Sequence, residues 1–379
     1  MKKLAIMGAS YLQVPLIKKA QAMGIETHVF AWAAGDVGET VADYFHPISI
    51  VEKDEILNKC REIGVDGVCS IASDLAAVTV NYVAHHLGLT GNSLECAFQS
   101  TNKNAMRRRF AQCGDPSPKS ILVHNADEAM ALELDYPVIV KPVDRSGSRG
   151  ITKLFQSCGL AQAVDHAIEQ GFADGALVEE FAEGKEYSVE CISWQGKHTF
   201  LAATLKYTTG APNFIETGHL EPAPLEEKKL EEVKQVVFHA LDSLGITNGA
   251  SHSELKISDE GKIAIIEIGG RMGGDCIGSD LVYLSTGIDF VKAVIQVALG
   301  QEPDLTPCHE PGAAAIRFVF NDEDRAVFAR LQKNSPQKLV EWKMFDLDNT
   351  EVTDSSNRFG YFIMTGKQGE ELIPYLPAE

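Results

Sequence analysis

The stretch S-E-L-K-I-S-D-E-G-K-I-A-I-I-E-I, residues 253–268, holds two apolar-rich runs that flank a polar turn containing a glycine. This pattern predicts a β-hairpin. A loop directly after Ser258 pairs that residue with Ile263. The same register places Glu254 opposite Glu267, and opposed residues share one face of a sheet with Cβ atoms about 5 Å apart. Because like charges repel at that distance, we expect a cation between the two carboxylates, and oxygen ligands of this kind suit Mg²⁺.

The hairpin runs into E-I-G-G-R-M-G-G-D, residues 267–275, in which glycines follow the second acid and surround Arg271. A guanidinium beside a pair of metal-binding acids can stabilise negative charge that develops during a reaction. The sequence therefore predicts that the chemistry takes place at this hairpin.

Length and charge narrow the class of protein. At 379 residues the chain exceeds a single compact core, so two or three domains are expected. No apolar run approaches the roughly 20 residues of a membrane span, which argues against a membrane protein. The net charge of −19 argues against a nucleic-acid partner, because phosphate backbones require a basic face. The cysteines form no C-x-x-C pair, which favours reduced thiols and a cytoplasmic location.

The N-terminal part alternates strands and helices, beginning with K-L-A-I-M-G, whose apolar run is too short for a signal peptide. This alternation predicts a small parallel sheet with helices on both faces. The turn G-A-S-Y-L-Q lacks the G-x-G-x-x-G pattern, so a dinucleotide site is not indicated. We assign residues 1–95 to this domain, 96–300 to a mixed α/β and α+β domain, and 301–379 to a small strand-rich domain.

A glycine-rich loop follows a buried lysine. Lys141 ends the strand P-V-I-V-K and precedes D-R-S-G-S-R-G. The backbone N–H groups of such a loop can approach phosphate oxygens, and the hydroxyl groups of Ser146 and Ser148 add donors. The lysine comes before the glycines, so this is not a Walker loop. A surface hairpin with an incidental lysine fits the segment equally well.

Three further segments carry polar side chains, and each segment has both a functional and a purely structural interpretation. A-L-V-E-E-F-A-E-G-K-E, residues 176–186, could present its backbone to an adenine or form an acidic, solvated turn. Glu216 and His219 lie close together in E-T-G-H, where the histidine could be catalytic or satisfied by a backbone carbonyl. Asp74 could contact an amine or cap a helix.

These segments occur in an order that resembles the ATP-grasp superfamily of carboxylate–amine ligases over roughly residues 1–300. K-P-V-D-R-S-G-S-R-G and E-T-G-H-L-E-P-A-P-L are most similar to the L-amino acid ligases, which form dipeptides. The resemblance implies an ATP-grasp fold: an N-terminal Rossmann-like parallel sheet, a lid at about 118–185 with a central domain, and a small C-terminal domain. It implies ATP and one or two Mg²⁺ ions, with Mn²⁺ as an alternative. Small carboxylates and amines are the implied substrates, and a homodimer is compatible with it.

The resemblance also implies roles for individual residues. Glu254 and Glu267 match the Mg²⁺ ligands, and Arg271 matches the arginine that steadies the acyl phosphate and the tetrahedral intermediate. Glu216 and His219 match substrate-pocket positions. The nucleotide-binding positions are Lys103 and Lys141 at the phosphates, Ser146, Gly147, Ser148 and Gly150 in the phosphate loop, Glu179, Glu180, Phe181 and Ala182 in the adenine hinge, and Glu186 at the ribose.

One position departs from the family, because the usual asparagine two residues after the second acid is Gly269 here. A second metal ion would lose an amide ligand. The implied reaction is attack of a carboxylate on ATP to give an acyl phosphate, followed by attack of an amine whose proton Glu216 or His219 could accept.

Two alternatives stay open. A purine-pathway carboxylase or formate-dependent transferase would need basic residues for a phosphorylated substrate, and residues 33–43 supply none. A nucleotide sensor without catalysis would be expected to lose Arg271 or a metal acid, and this chain retains both.

Overall fold

A computed structural model describes residues 1–145, 147, 149–212, 214–345 and 351–378 of the chain. Its N-terminal part forms a parallel sheet, as predicted. The strands are β1 (Lys3–Met7), β2 (Glu26–Phe30), β3 (Tyr44–His46) and β4 (Gly67–Cys69), in the spatial order β3-β2-β1-β4. The helices are α1 (Val14–Ala22), α2 (Val37–Val41), α3 (Lys53–Ile63) and α4 (Asp74–Leu87).

Strand β1 is apolar on both sides because helices cover both faces of this sheet. Leu4 and Ile6 pack in the cluster that contains α1. Ala5 and Met7 pack in the cluster that contains α3 and α4. The uninterrupted apolar run in the sequence therefore reports a doubly covered strand.

Two helices connect this sheet to the rest of the chain: α5 (Leu94–Gln99) and α6 (Lys103–Cys113). The side chain of Asn102 caps α6 by accepting a hydrogen bond from the N–H of Ala105, and Gly114 ends the helix in the left-handed conformation. Met106 and Phe110 anchor the helix in the main core. This anchoring fixes Lys103 at the start of the helix.

An antiparallel sheet with its own core lies within the predicted lid range; we call it the lid sheet. Its strands are β5 (Ser120–Val123), β6 (Val138–Pro142), β7 (Thr152–Leu154) and β8 (Ala176–Glu180), in the order β5-β8-β6-β7. Helices α7 (Ala126–Met130) and α8 (Leu160–Gln170) pack on it. The domain boundaries themselves stay predictions.

The largest sheet has the strand order β13-β12-β9-β10-β11-β14-β16-β15. The three C-terminal strands extend this central sheet and do not form a sheet of their own. Its strands are β9 (Lys185–Trp194), β10 (Lys197–Thr208), β11 (Glu216–Glu221), β12 (Gly249–Ile257), β13 (Ile263–Gly269), β14 (Ala313–Val319), β15 (Leu339–Met344) and β16 (Gly360–Gly366). The associated helices are α9 (Glu227–Leu244), α10 (Val282–Thr286), α11 (Phe290–Ala298) and α12 (Asp322–Asn334).

The two faces of the central sheet differ in chemistry because side chains alternate along each strand. One face packs against α6 and α9 through residues such as Val189, Leu205 and Leu255. The opposite face carries charged side chains, including Glu190 and Lys206, although both are buried. That polar face forms the floor of the candidate site.

In the hairpin of β12 and β13, Glu254 lies opposite Glu267, as predicted. Its turn differs from the prediction, because Ile257, and not Ser258, pairs with Ile263. The register then shifts by one residue beside Leu255, where Ile266 is the extra residue of a β-bulge. The bulge restores the pairing of the acids.

Among the helices of the described residues, none combines the length and apolar character needed to cross a membrane.

Candidate active site

A cavity of about 290 Å³ lies where the N-terminal part, the lid sheet and the central sheet meet. It brings together most of the residues predicted from the sequence. Gly150 is not among its lining residues, and Ser146 and Ser148 lie outside the described residues. The predicted residues that line it are Lys103, Lys141, Gly147, Glu179, Glu180, Phe181, Ala182, Glu186, Glu216, His219, Glu254, Glu267 and Arg271.

The two facing acids are each bound by a lysine. The Nζ atom of Lys206 lies 2.6 Å from Oε1 of Glu254, and the Nζ atom of Lys103 lies 2.6 Å from Oε1 of Glu267. Burial alone would raise the pKa of Glu254, but Lys206 and the neighbouring His252 lower it well below its usual range. Glu254 is therefore held as a carboxylate.

This pair of carboxylates fits a magnesium ion by the chemistry of its donors, since Mg²⁺ prefers oxygen ligands and shares its shell with phosphates. Within the part of the chain that the structure describes, no group of three or more His, Cys, Asp or Glu side chains is arranged to hold a metal. A metal at Glu254 and Glu267 would thus depend on phosphate oxygens for the rest of its coordination.

Lys206 joins three acids, and the sequence analysis missed it. Its Nζ atom lies 3.0 Å from Oε1 of Glu186 and 3.6 Å from Oε1 of Glu216, in addition to its contact with Glu254. Burial lowers the pKa of Lys206, but the three carboxylates raise it well above its usual value. Glu186 and Glu216, predicted to bind ribose and to accept a proton, therefore share one ammonium group here.

A second buried ion cluster lies under the lid sheet. The carboxylate of Glu179 contacts two cations. Its Oε2 atom lies 2.6 Å from Nζ of Lys141, and its Oε1 atom lies 2.9 Å from Nε of Arg107. Burial would raise the pKa of Glu179, yet Arg107 and Lys141 lower it to about 2. Burial lowers the pKa of Lys141 to about 8, although Glu179 raises it. The side chain of Glu179 thus orients Lys141, whereas the predicted hinge role concerns its backbone.

The predicted adenine hinge continues from this cluster. The N–H of Phe181 donates to the carbonyl of Pro137 at 3.2 Å, which ties the hinge to the residue just before strand β6. The Nζ atoms of Lys153 and Lys256 lie 3.3 Å and 4.8 Å from the ring centroid of Phe181. The hinge therefore has an aromatic surface with cations beside it.

Arg271 is fixed by two parallel hydrogen bonds to Asp74. The distances are 2.8 Å from Nε to Oδ1 and 2.9 Å from Nη2 to Oδ2. Asp74 is not the helix cap, because the hydroxyl of Ser73 accepts the capping bond of α4. A Cβ atom on Gly269 would lie 2.8 Å from Oδ1 of Asp74. The ion pair thus occupies the space into which an asparagine side chain would extend.

The far end of the cavity is closed by the segment that precedes strand β16. The Nη2 atom of Arg358 lies 2.8 Å from Oδ2 of Asp275, and the hydroxyl of Ser355 donates to Glu216 at 3.0 Å. His219 lies on β11 and is fully buried, with its Nε2 atom 3.9 Å from Asp275. Neither of its ring nitrogens has a hydrogen-bond partner among the described residues, so the proposed backbone partner is absent. Burial lowers the pKa of His219.

His252 is a second buried histidine of the cavity. Its Nδ1 atom is hydrogen-bonded to Oε1 of Glu190, and its Nε2 atom lies 3.4 Å from Oε1 of Glu254. Oε2 of Glu190 accepts a hydrogen bond from the N–H of Gly273 at 3.0 Å. Burial lowers the pKa of His252, but Glu190 raises it to about 9.

Comparison with known proteins bears on this arrangement. Residues 134–280 match the family described as the ATP-grasp domain. This range of the chain is similar to an ATP-grasp domain. The matched range includes the lid strand with Lys141, both facing acids and Arg271, which agrees with the resemblance seen in the sequence.

Relatives and solved structures extend the likeness beyond the ATP-grasp domain. Alanine–anticapsin ligase of Bacillus subtilis is 26% identical over 307 residues, 71% of this chain and 64% of that protein. The chain spans 55% to 64% of the length of four of the curated relatives that it matches. The L-amino acid ligase structure from Bacillus licheniformis has a TM-score of 0.84 at 24% identity, over 99% of this chain and 96% of that one. Phosphoribosylglycinamide synthetase from Anaerococcus prevotii has a TM-score of 0.78 at 23% identity, over 98% and 96%. The ATP-grasp fold is thereby confirmed.

The range matched by the ATP-grasp family contains functional candidates that the sequence did not reveal. Lys206, His252 and Asp275 line the cavity from within the matched range. The alternation of β12 could have shown that His252 shares a face with Glu254. Lys206 lies on β10, so its place beside the acids depends on the order of the strands. Arg358 gave no local signal, because its partner is distant in sequence.

Proposed function

We propose that this protein is an ATP-dependent ligase that joins a small carboxylate to an amine through an acyl phosphate, with release of ADP and phosphate. The observation that carries this proposal is the placement of Glu254, Glu267 and Arg271 in one cavity with two buried lysines. Alanine–anticapsin ligase, by its name, joins alanine to anticapsin, which supports the same class of reaction.

The phosphate end of the cavity contains Lys103 and Lys141. Each ammonium group rests on a carboxylate, Glu267 and Glu179 respectively, at 2.6 Å. Phosphoryl transfer needs charge neutralisation and in-line positioning more than covalent help. These lysines can bind phosphate oxygens with little rearrangement, while Mg²⁺ held by Glu254 and Glu267 would neutralise further charge.

Arg271 lies next to the acids and is oriented by Asp74. A guanidinium held by two hydrogen bonds on one edge can direct its remaining donors at a carboxylate. The same donors stabilise the oxyanion that forms when an amine attacks the acyl phosphate. Because Asp74 fixes the orientation in advance, little reorganisation is needed during the reaction.

The amine must lose a proton before it attacks, and His219 is the better of the two predicted acceptors. Its lowered pKa keeps the ring neutral near neutral pH, and neither ring nitrogen has a partner in the described residues. The carboxylate of Glu216 instead accepts from Ser355 and lies 3.6 Å from Lys206. We assign the acceptor role to His219 and a positioning role to Glu216.

A purine-type reaction is the second candidate, because phosphoribosylglycinamide synthetase shares the fold. A phosphorylated substrate would need cations beside the N-terminal sheet. The loop after β2 instead carries Asp36 and Glu39, and Glu39 accepts three backbone N–H groups there. This acidic loop favours a substrate without a phosphate group.

The test is phosphate release with ATP and Mg²⁺, measured for amino acids singly and in pairs. A ligase releases phosphate only when a carboxylate and an amine donor are both present. Arg271→Ala should lower this rate by at least about 100-fold, while ATP binding by calorimetry stays measurable. Arg109→Ala is the matched control, since Arg109 bonds the carbonyl of Ser243 and not the cavity.

Three outcomes would contradict the proposal. ATP binding without turnover for any pair would favour a sensor. Turnover of a phosphoribosylated amine would favour the purine-type reaction. Full activity of Arg271→Ala would remove that residue from the mechanism.

A further inference from the structure

One row of residues crosses three strands of the central sheet beside the predicted metal acids. Glu190 on β9 pairs with His252 on β12, and His252 pairs in turn with Gly269 on β13. The next row contains Glu254 opposite Glu267. The imidazole of His252 therefore faces the one position at which the chain lacks the family's asparagine.

A larger side chain does not fit at position 269. Asp74 and Arg271 already occupy the neighbouring space, as the 2.8 Å approach of a Cβ atom to Asp74 shows. A ligand that replaces the missing amide must come from another strand. His252 is the cross-strand partner of Gly269, and it lines the cavity.

The environment of His252 resembles that of a metal-binding histidine. Such histidines commonly donate their second ring N–H to a carboxylate, which fixes the ring and increases its basicity. Here Oε1 of Glu190 binds Nδ1, and Gly273 holds the other oxygen of Glu190. Both Glu190 and His252 are buried. Glu190 thus leaves Nε2 as the ring nitrogen that faces Glu254.

The Nε2 atom points at a predicted metal ligand. It lies 3.4 Å from Oε1 of Glu254, which is long for a hydrogen bond. Two neighbouring ligands of an octahedral ion with bonds near 2.1 Å are about 3 Å apart. A cation bound at Glu254 would therefore lie within reach of His252.

We propose that His252 supplies a nitrogen ligand to a divalent cation at Glu254, in place of the amide that Gly269 lacks. This proposal rests on the proposed function, since the cation arrives with the nucleotide. An imidazole nitrogen binds transition-metal ions better than it binds Mg²⁺. The site should therefore prefer Mn²⁺ over Mg²⁺ more strongly than a site with only oxygen ligands would.

The experiment detects nitrogen on the metal directly. Protein labelled with ¹⁵N in its histidine rings is mixed with Mn²⁺ and ADP, and electron spin echo modulation is recorded. Wild-type protein should show coupling of a directly bound ¹⁵N to manganese. His252→Ala should lose the coupling, whereas His219→Ala should keep it, because both are buried histidines of the same cavity.

A second variant tests the supporting carboxylate. Glu190→Gln should weaken Mn²⁺ affinity in the ADP complex by about 10-fold or more, since loss of such a partner costs that much in metal sites. Absence of ¹⁵N coupling in the wild-type complex would overturn the proposal, whatever the variants do. Failure of Mn²⁺ and ADP to bind together would instead overturn the proposed function.

Discussion

Glu221 is a buried carboxyl group that has no cation beside it in the described residues. Its two oxygens accept hydrogen bonds from the hydroxyl groups of Thr204 and Ser285, each at 2.6 Å. The side chain is fully buried. Burial raises the pKa of Glu221 to about 8, against 4.5 in an unfolded chain. The folded protein therefore holds this group protonated at neutral pH.

This proton makes stability depend on pH. Between about pH 4.5 and pH 8 the folded state binds a proton that the unfolded chain has released, so the free energy of unfolding falls as pH rises. Glu221→Gln removes the loss. The variant should gain on the order of 3 kcal/mol relative to wild type between pH 5 and pH 8.

Thermal denaturation at both pH values measures this difference. Glu302→Gln serves as the control, because Glu302 is exposed. A gap between variant and wild type that stays constant with pH would mean that Glu221 is ionised in the folded protein.

At the residue level the sequence was sufficient for side chains whose partners are near in the hairpin. Glu254 and Glu267 follow from strand alternation and a turn. Lys206 was missed because its contacts depend on the order of strands in the sheet, which local patterns do not contain. Arg358 was missed for the same reason. His252 was missed although strand alternation places it on the same face as Glu254.

Among the elements, the hairpin of β12 and β13 has the predicted pairing of its two acids although its turn was predicted wrongly. The predicted pairing of Ser258 with Ile263 was wrong, since Ile257 takes that place. The bulge at Ile266 adds one residue and returns Glu254 to Glu267. Two apolar runs predict that a hairpin forms, but they do not locate a bulge.

The lid sheet gives an element-level prediction. Its core is separate from the main core, and Lys141 at its inner strand lines the cavity. Nucleotide bound there should hold the lid sheet closed over the site. Hydrogen–deuterium exchange at edge strand β7 should slow several-fold when ADP and Mg²⁺ are added.

Edge strand β15 supplies the matched control, because it ends the central sheet at the side opposite β13. Its exchange should not change with nucleotide. Equal slowing of β7 and β15 would point to a global gain in stability, and no slowing of β7 would argue against closure.

Over the whole molecule, one cavity collects side chains from distant parts of the chain. Asp74 comes from the N-terminal part, Lys141 from the lid sheet and Glu254 from the central sheet. Ser355 lines the cavity from the C-terminal part, and Arg358 contacts its wall at Asp275. The strand-rich character of the C-terminal part was predicted, but its continuity with the central sheet was not.

Arg358 should therefore affect the substrate end of the site and leave the nucleotide end intact. Arg358→Gln leaves Asp275 buried without its cation, which should shift Asp275 and the neighbouring proton acceptor His219. The value of kcat/KM for amide formation should then fall by about 10-fold or more. Nucleotide affinity, measured by calorimetry, should stay within about twofold. Arg325→Gln is the control, because Arg325 is largely exposed on α12. An equal loss of nucleotide binding would place Arg358 in the phosphate end.

The resting lysine–acid pairs have a consequence for how ligands arrive. If a nucleotide attracted Lys103 and Lys206 to its phosphates, Glu267 and Glu254 would lose their counterions. A metal ion that bound without nucleotide would have to displace the same lysines, and no anion would be present to pair with them. Each ligand removes the obstacle that the other meets. Metal and nucleotide should accordingly show mutual synergy, each tightening the other by the same factor, as thermodynamic linkage requires.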